Sequence, residues 1–206
     1  MLLTISNFRK DCPTMMRFIL VGILVIMAAA VGLMTFQWYQ RLYADGPFGE
    51  PFTLVDQSGE EITQAAFQGQ PTALFFGFTH CPEVCPTTLF ELEGWLSELG
   101  EEGADIDAYF VSVDPERDTP EILGDYVSNV SKRIVGITGE PDKVFAMAKS
   151  YGIYFKKVEL EGGGYTMDHT ASILLLDSTG NFAGTIAYGE NPENAVAKLK
   201  RLASKS

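Results

Sequence analysis

Basic residues are scarce in this chain of 206 residues: 15 Lys and Arg stand against 27 Asp and Glu, for a net charge of −12. From Leu42 to Glu116 there is no Lys or Arg at all. The first 41 residues hold four of the basic groups and one acid, so the remainder lies near −15, with 11 basic against 26 acidic groups. Nucleic-acid binding needs a basic footprint, so no nucleic-acid partner is expected. An acidic surface keeps a domain soluble, and it suits a bound cation better than an anion. Histidine is scarcer still, with only His80 and His169, and there are three cysteines. Internal repeats are absent.

Charge is also missing from Phe18 to Phe36, a run of 19 residues. That is close to the roughly 20 that cross a bilayer as a helix. Trp38 and Tyr39 follow, where an interfacial aromatic anchor would sit. Arg9, Lys10 and Arg17 precede the run against one acid, Asp11, whereas acids follow Arg41. The positive-inside rule therefore predicts a cytoplasmic N-terminus at 1–17, a transmembrane anchor at 18–40, a tether at 41–49 and an external domain at 50–204. Gly46-Pro47-Phe48-Gly49 marks the tether. Ala28-Ala29-Ala30 could serve as a signal-peptidase site, but the apolar run continues through Val31, Leu33, Met34 and Phe36, where a cleaved precursor would turn polar. The first 17 residues are too short and too poor in Arg and Ser for an organelle transit peptide. The expectation is a single-pass protein of a bacterial inner membrane whose domain faces the periplasm. Cys12, with no lipobox before it, reads as an incidental thiol on the cytoplasmic side. Cys81 and Cys85 lie on the oxidising side, where their redox state matters.

The exported part alternates strand and helix patterns. Pro51–Asp56 reads as a strand with Phe52 and Leu54 inward, and Pro71–Phe78 as a strand buried on both faces. In Pro86–Leu99, Leu89, Leu92, Leu96 and Leu99 recur at helical spacing, and Pro86 suits a first turn. Ile106–Val113 is a further strand, ended by Asp114-Pro115. Thr119 caps a helix that has Pro120 at its first position. Ile134–Ile137 and Ile153–Val158 read as strands on either side of a helix at Glu140–Tyr151. After a Gly162-Gly163-Gly164 turn, Ser172–Leu176 and Phe182–Tyr188 form a hairpin, and Pro192 to about Ala203 reads as a closing helix. A βαβ unit with a cysteine pair at its first strand-to-helix junction is the thioredoxin-like plan: a central mixed β-sheet flanked by helices.

The cysteines are four apart, not the three of a thioredoxin pair. On a regular helix that spacing puts Cβ atoms about 5–6 Å apart, whereas a relaxed disulfide wants about 3.5–4.5 Å. The extra residue loosens the disulfide and opens room for an ion between two sulfurs. With Cys81 in the turn ahead of the helix, a disulfide stays possible. Two thiolates are soft donors that favour copper(I) and zinc over calcium or magnesium.

Gly77-Phe78-Thr79-His80-Cys81-Pro82-Glu83-Val84-Cys85-Pro86, Val113-Asp114-Pro115-Glu116-Arg117-Asp118-Thr119, Gly136-Ile137-Thr138-Gly139 and Asp168-His169-Thr170 together resemble the SCO/SenC family over roughly residues 48 to 200. The resemblance implies a membrane-anchored, thioredoxin-fold copper protein that helps assemble the binuclear copper centre of cytochrome c oxidase. Within it, His169 is the expected third ligand beside Cys81 and Cys85, in a loop entering the late hairpin. His80, next to Cys81 on a segment leaving a strand, is expected to flank the site instead. Asp168 would orient the loop or tune the site as an outer carboxylate. The 115–119 loop is expected near the copper site, with Arg117 pairing Asp114 or Asp118. The implied partners are cytochrome c oxidase subunit II, a periplasmic copper donor and the lipid bilayer.

The same cysteines could instead serve a thiol–disulfide reductase that reduces the target's copper-ligating thiols. Val84-Cys85-Pro86-Thr87 also resembles a peroxiredoxin nucleophile segment. That chemistry wants a hydroxyl residue three before the cysteine and an arginine nearby; Pro82 stands at that position and no arginine is near in sequence.

Overall fold

A computed structural model describes residues 12–42 and 47–204, with side chains in the first stretch from 16 to 38. The expected cytoplasmic segment through residue 11 and Gly46 of the tether lie outside the described residues, as do the side chains of Cys12, Tyr39 and Arg41. The chain divides at Asp45 into two units. In the first, helix α1 spans Cys12–Leu42. Its stretch Met16–Trp38, 23 residues, is long and apolar enough to cross a membrane by length and composition. None of it is buried against protein.

The second unit is built on a seven-stranded mixed sheet. Its strands are β1 (Thr53–Asp56), β2 (Glu61–Thr63), β3 (Thr72–Gly77), β4 (Asp107–Ser112), β5 (Ile134–Thr138), β8 (Ser172–Leu176) and β9 (Phe182–Ala187), in the order β2-β1-β5-β4-β3-β8-β9. The centre, β3, β4 and β5, is parallel, and the other pairings are antiparallel. Helices α2 (Val84–Glu98), α3 (Glu101–Ala104), α4 (Pro120–Ser128), α5 (Pro141–Ser150) and α6 (Pro192–Ala203) complete a thioredoxin-like fold. Strands β6 (Phe155–Glu159) and β7 (Tyr165–His169) stand apart as a two-stranded sheet that pairs only with itself.

Parallel strands joined by helical crossovers are covered on both faces, so they read as unbroken apolar runs. All six residues of β3 are buried. Each large apolar side chain so buried contributes about 1.5–3 kcal/mol. Leu89, Leu92 and Leu96 present the inner stripe of α2 and are fully buried. Thr119 caps α4 by accepting a hydrogen bond from the Ile122 amide, with Pro120 at the first helical position.

The end of the expected 41–49 tether is packed, not loose. Phe48 donates its amide to the Gly180 carbonyl at 2.8 Å, and its ring lies 5.4 Å from that of Tyr151 and 5.2 Å from that of Phe182. Gly49, at φ +86°, sits so close to the Tyr151 ring that a Cβ there would lie 2.3 Å from a ring carbon. An aromatic residue at a domain edge gains more from a hydrophobic notch than from solvent, and Pro-Phe-Gly composition alone does not reveal the notch.

Candidate metal centre

Cys81 lies in the turn between β3 and α2, its amide donating to the Phe78 carbonyl at 3.2 Å. Cys85 is the second residue of α2 and is fully buried. The first amides of a helix have no partner inside it, and a side chain normally accepts from them. Glu83, at the cap position, makes no such bond with its side chain. The Cys81 sulfur takes that role, accepting from the Cys85 amide at 3.3 Å. Backbone and helix N-terminus thus favour a thiolate at Cys81. Gly77 makes the approach possible: a Cβ there would lie 2.9 Å from the Cys85 sulfur and 2.6 Å from the Phe110 ring.

His169 arrives from the far end of the chain, 84 residues after Cys85, and its Nε2 lies 3.5 Å from the Cys85 sulfur. Its other ring nitrogen, Nδ1, lies 2.9 Å from the Thr170 carbonyl oxygen. A carbonyl only accepts, so Nδ1 donates to it, and that bond orients the ring with Nε2 facing the sulfurs. The rings of Phe78 and Phe75 meet His169 edge to face, at 5.7 Å and 6.2 Å. His169 ends strand β7, in register with Phe155, and is not in the loop expected from sequence. Strand alternation explains its aim: Met167 and His169 share the inward face, while Asp168 is exposed on the other, across from Lys156. Asp168 makes no hydrogen bond to His169 among the described residues, so the outer-carboxylate role expected for it has no contact behind it.

Both cysteines are free thiols, one half-buried and one buried. The hydrogen bond from Cys85, reinforced by His169 and by the Cys85 amide, pulls the Cys81 thiol down to about 4 despite partial burial. The same hydrogen bond, with burial, pushes Cys85 up. The pair thus shares one proton, with Cys81 as the thiolate. The atoms offered by Cys81, Cys85 and His169 all lie within 4.8 Å of one another, and among the described residues no fourth Cys, His, Asp or Glu joins them. Two sulfurs and one imidazole nitrogen form a soft set that suits copper in either oxidation state; a structural zinc site wants a fourth ligand.

The second histidine stays outside. His80 is exposed, and its Nδ1 meets the Thr79 hydroxyl at 3.1 Å. Arg117 pairs Asp114, the first of the two alternatives, and stacks 3.8 Å over the Tyr165 ring. Asp118, fully buried, accepts instead from the Thr79 amide (3.1 Å), the Thr79 hydroxyl (2.6 Å) and the Ser112 hydroxyl (2.6 Å). Burial pushes its carboxyl up against the pull of those donors. Sequence reading saw Asp118 only as a partner for Arg117, because its true partners lie 39 and 6 residues away. Tyr126 was missed altogether. Its buried hydroxyl has no hydrogen-bond partner among the described residues, and burial followed by the nearby sulfur charges pushes its pKa up.

Comparison with known proteins gives one consistent answer. A family model described as SCO1/SenC matches residues 41–204. The Arabidopsis thaliana mitochondrial protein SCO1 homolog 1 is 38% identical over 144 residues, covering 69% of this chain and 42% of that protein. The chain thus spans less than half of that relative. An SCO2-like protein of Rickettsia prowazekii is 30% identical over 181 residues, 86% of this chain and 88% of the relative. Among solved structures, Bradyrhizobium japonicum ScoI with copper bound is similar at 44% identity and a TM-score of 0.69, over 75% of this chain and 99% of that one.

Proposed function

The chain belongs to the SCO1/SenC family, and on that premise we propose that it is a copper metallochaperone holding one copper ion through Cys81, Cys85 and His169. It takes copper from a periplasmic donor and passes it to subunit II of cytochrome c oxidase, helping to assemble that subunit's binuclear copper centre. In this reading residues 18–40 anchor it in a bacterial inner membrane, with residues 1–17 cytoplasmic and the folded domain periplasmic. The observation that carries the reading is the convergence of three soft donors within 4.8 Å from two segments far apart in sequence. The copper-bound relative of similar fold supports the choice of metal. Copper is the cargo here. The chain supplies two sulfurs, an Nε2 oriented toward them and the edges of the Phe75 and Phe78 rings packed against the imidazole.

A thiol–disulfide reductase acting on the cysteines of the same target is the second reading, and one observation favours it. Cys81 is the more accessible sulfur and is held as a thiolate, as an attacking nucleophile must be. The full chain in detergent micelles separates the two. After reduction and copper loading, one tightly held copper per chain with a thiolate-to-copper(II) charge-transfer band, altered by His169→Ala, is the chaperone result. No retained copper, together with a readily cycling disulfide, is the reductase result.

A further inference from the structure

The two arms of the centre meet again in the segment between β4 and α4. Asp118 reaches back to the cysteine arm: its carboxylate takes the amide and the hydroxyl of Thr79, two residues before Cys81. Asp114, 3% exposed, reaches out to the histidine arm. Its carboxylate accepts from the Tyr165 hydroxyl at 2.8 Å and pairs Arg117, whose Nη1 donates to the Tyr165 carbonyl at 3.0 Å. Arg117 and Lys157 each lie 3.8 Å from the centre of the Tyr165 ring, so two cations hold it. Lys157 also bonds Glu116 at 2.9 Å. One hydroxyl ties the Asp118 carboxylate to the backbone of Asp114: Ser112 Oγ donates to Asp118 and accepts from the Asp114 amide at 3.0 Å.

Tyr165 and His169 are the two ends of β7, about 13 Å apart at strand rise. Because β6 and β7 pair only with each other, no ladder to the main sheet fixes the histidine. Beyond its ring contacts the hairpin is held by side-chain ties, and the polar ones near Tyr165 run to this segment.

We propose that Asp114–Asp118 is a brace that sets the separation between the two sulfurs and the imidazole, Asp118 holding the cysteine loop and Asp114 with Arg117 holding the strand of His169. These are positioning residues that never touch the ion. The proposal rests, for its consequence on metal choice, on the reading of Cys81, Cys85 and His169 as ligands of one copper. Copper(I) is satisfied by two soft thiolates, whereas copper(II) draws more on the imidazole. Loosening the histidine tie therefore costs the oxidised metal most.

The test uses the metal-free full chain in detergent micelles first, read by NMR. Tyr165→Phe removes one hydroxyl and keeps the ring; it shifts the His169 imidazole nitrogens and leaves the Cys81 and Cys85 amides in place. Asp118→Asn does the reverse, moving Thr79, Cys81 and Cys85. Ser112→Ala, which cuts the shared hydroxyl, moves both sets. Imidazole resonances unmoved in Tyr165→Phe, or Ser112→Ala moving neither set, would overturn the brace. Copper titration follows: Tyr165→Phe weakens copper(II) about 10–100-fold, the range for outer partners of metal ligands, and changes copper(I) affinity less than about threefold. Equal loss for both oxidation states would overturn the proposal. Variants that show the NMR split, beside a wild-type chain that retains no copper, would sink the ligand reading while supporting the brace.

Discussion

The cysteine arm and the histidine arm of the centre are built by different forces. Strand β3 carries the cysteines out of the core, and every one of its residues is buried. Hairpin β6–β7 carries the histidine; most of its residues are exposed or half-buried, and only Met167 is fully inside. One arm rests on a fully buried strand, with the bonds between Asp118 and Thr79 holding only its loop. The other depends mainly on hydrogen bonds, an ion pair and cations against a tyrosine ring. Hydrophobic burial is non-directional and insensitive to single contacts at the surface, whereas polar ties are directional and can be cut one at a time. The thiol side is therefore the fixed jaw of the site, and the imidazole side is the adjustable one.

Core truncation breaks the fixed jaw hardest. Phe75→Ala removes a fully buried ring that touches both Phe110 and His169 and is expected to cost about 3–5 kcal/mol in denaturant unfolding. The matching change on the other arm, Phe155→Ala, takes away a half-buried ring stacked 4.9 Å from Phe145 and should cost about 1 kcal/mol. Equal costs would erase the contrast. Gly77→Ala comes next, at about 1–3 kcal/mol for overpacking. The new methyl would press on the Phe110 ring and the Cys85 sulfur, so copper(I) affinity should fall with stability; an unchanged affinity would show that the jaw yields. Thr119→Ala, loss of the α4 cap directly after the brace segment, should cost about 1 kcal/mol.

The fixed jaw was the legible one. An unbroken apolar run ending in Cys81-Pro82-Glu83-Val84-Cys85 announces a buried strand and a strand-to-helix junction, and Thr119-Pro120 announces a helix start. The helix expected from Pro192 to about Ala203 was readable too, because its helical period and the proline at its first position are both local. The adjustable jaw was not legible to that degree. Strand β6 was anticipated at Ile153–Val158, but Asp168 interrupts the apolar pattern that would mark β7 as its partner, so His169 read as a loop residue. Asp118 looked like another surface acid of an acidic chain, because burial of a carboxylate depends on donors that only the fold brings to it. Phe48 is the same lesson at the domain's edge.

The smallest effect expected is a flat line. With its thiol held down to about 4 by the Cys85 hydrogen bond, Cys81 is a thiolate throughout neutral pH and loses that charge only as pH falls toward 4. Alkylation of Cys81 by iodoacetamide should change less than about twofold between pH 8 and pH 6. An ordinary thiol slows about a hundredfold over the same two units, and a slope of tenfold per pH unit would remove Cys81 as the anionic member of the pair. Cys85, buried and holding the shared proton, should stay unmodified throughout.

The central claim is that the two jaws close on one copper ion, and X-ray absorption at the copper edge of the loaded full chain tests it most directly. Two sulfur neighbours and one imidazole nitrogen per copper are expected, with the imidazole signature gone in His169→Ala and both sulfurs retained. A copper surrounded by oxygen and nitrogen alone, or an imidazole signature that survives His169→Ala, would contradict it.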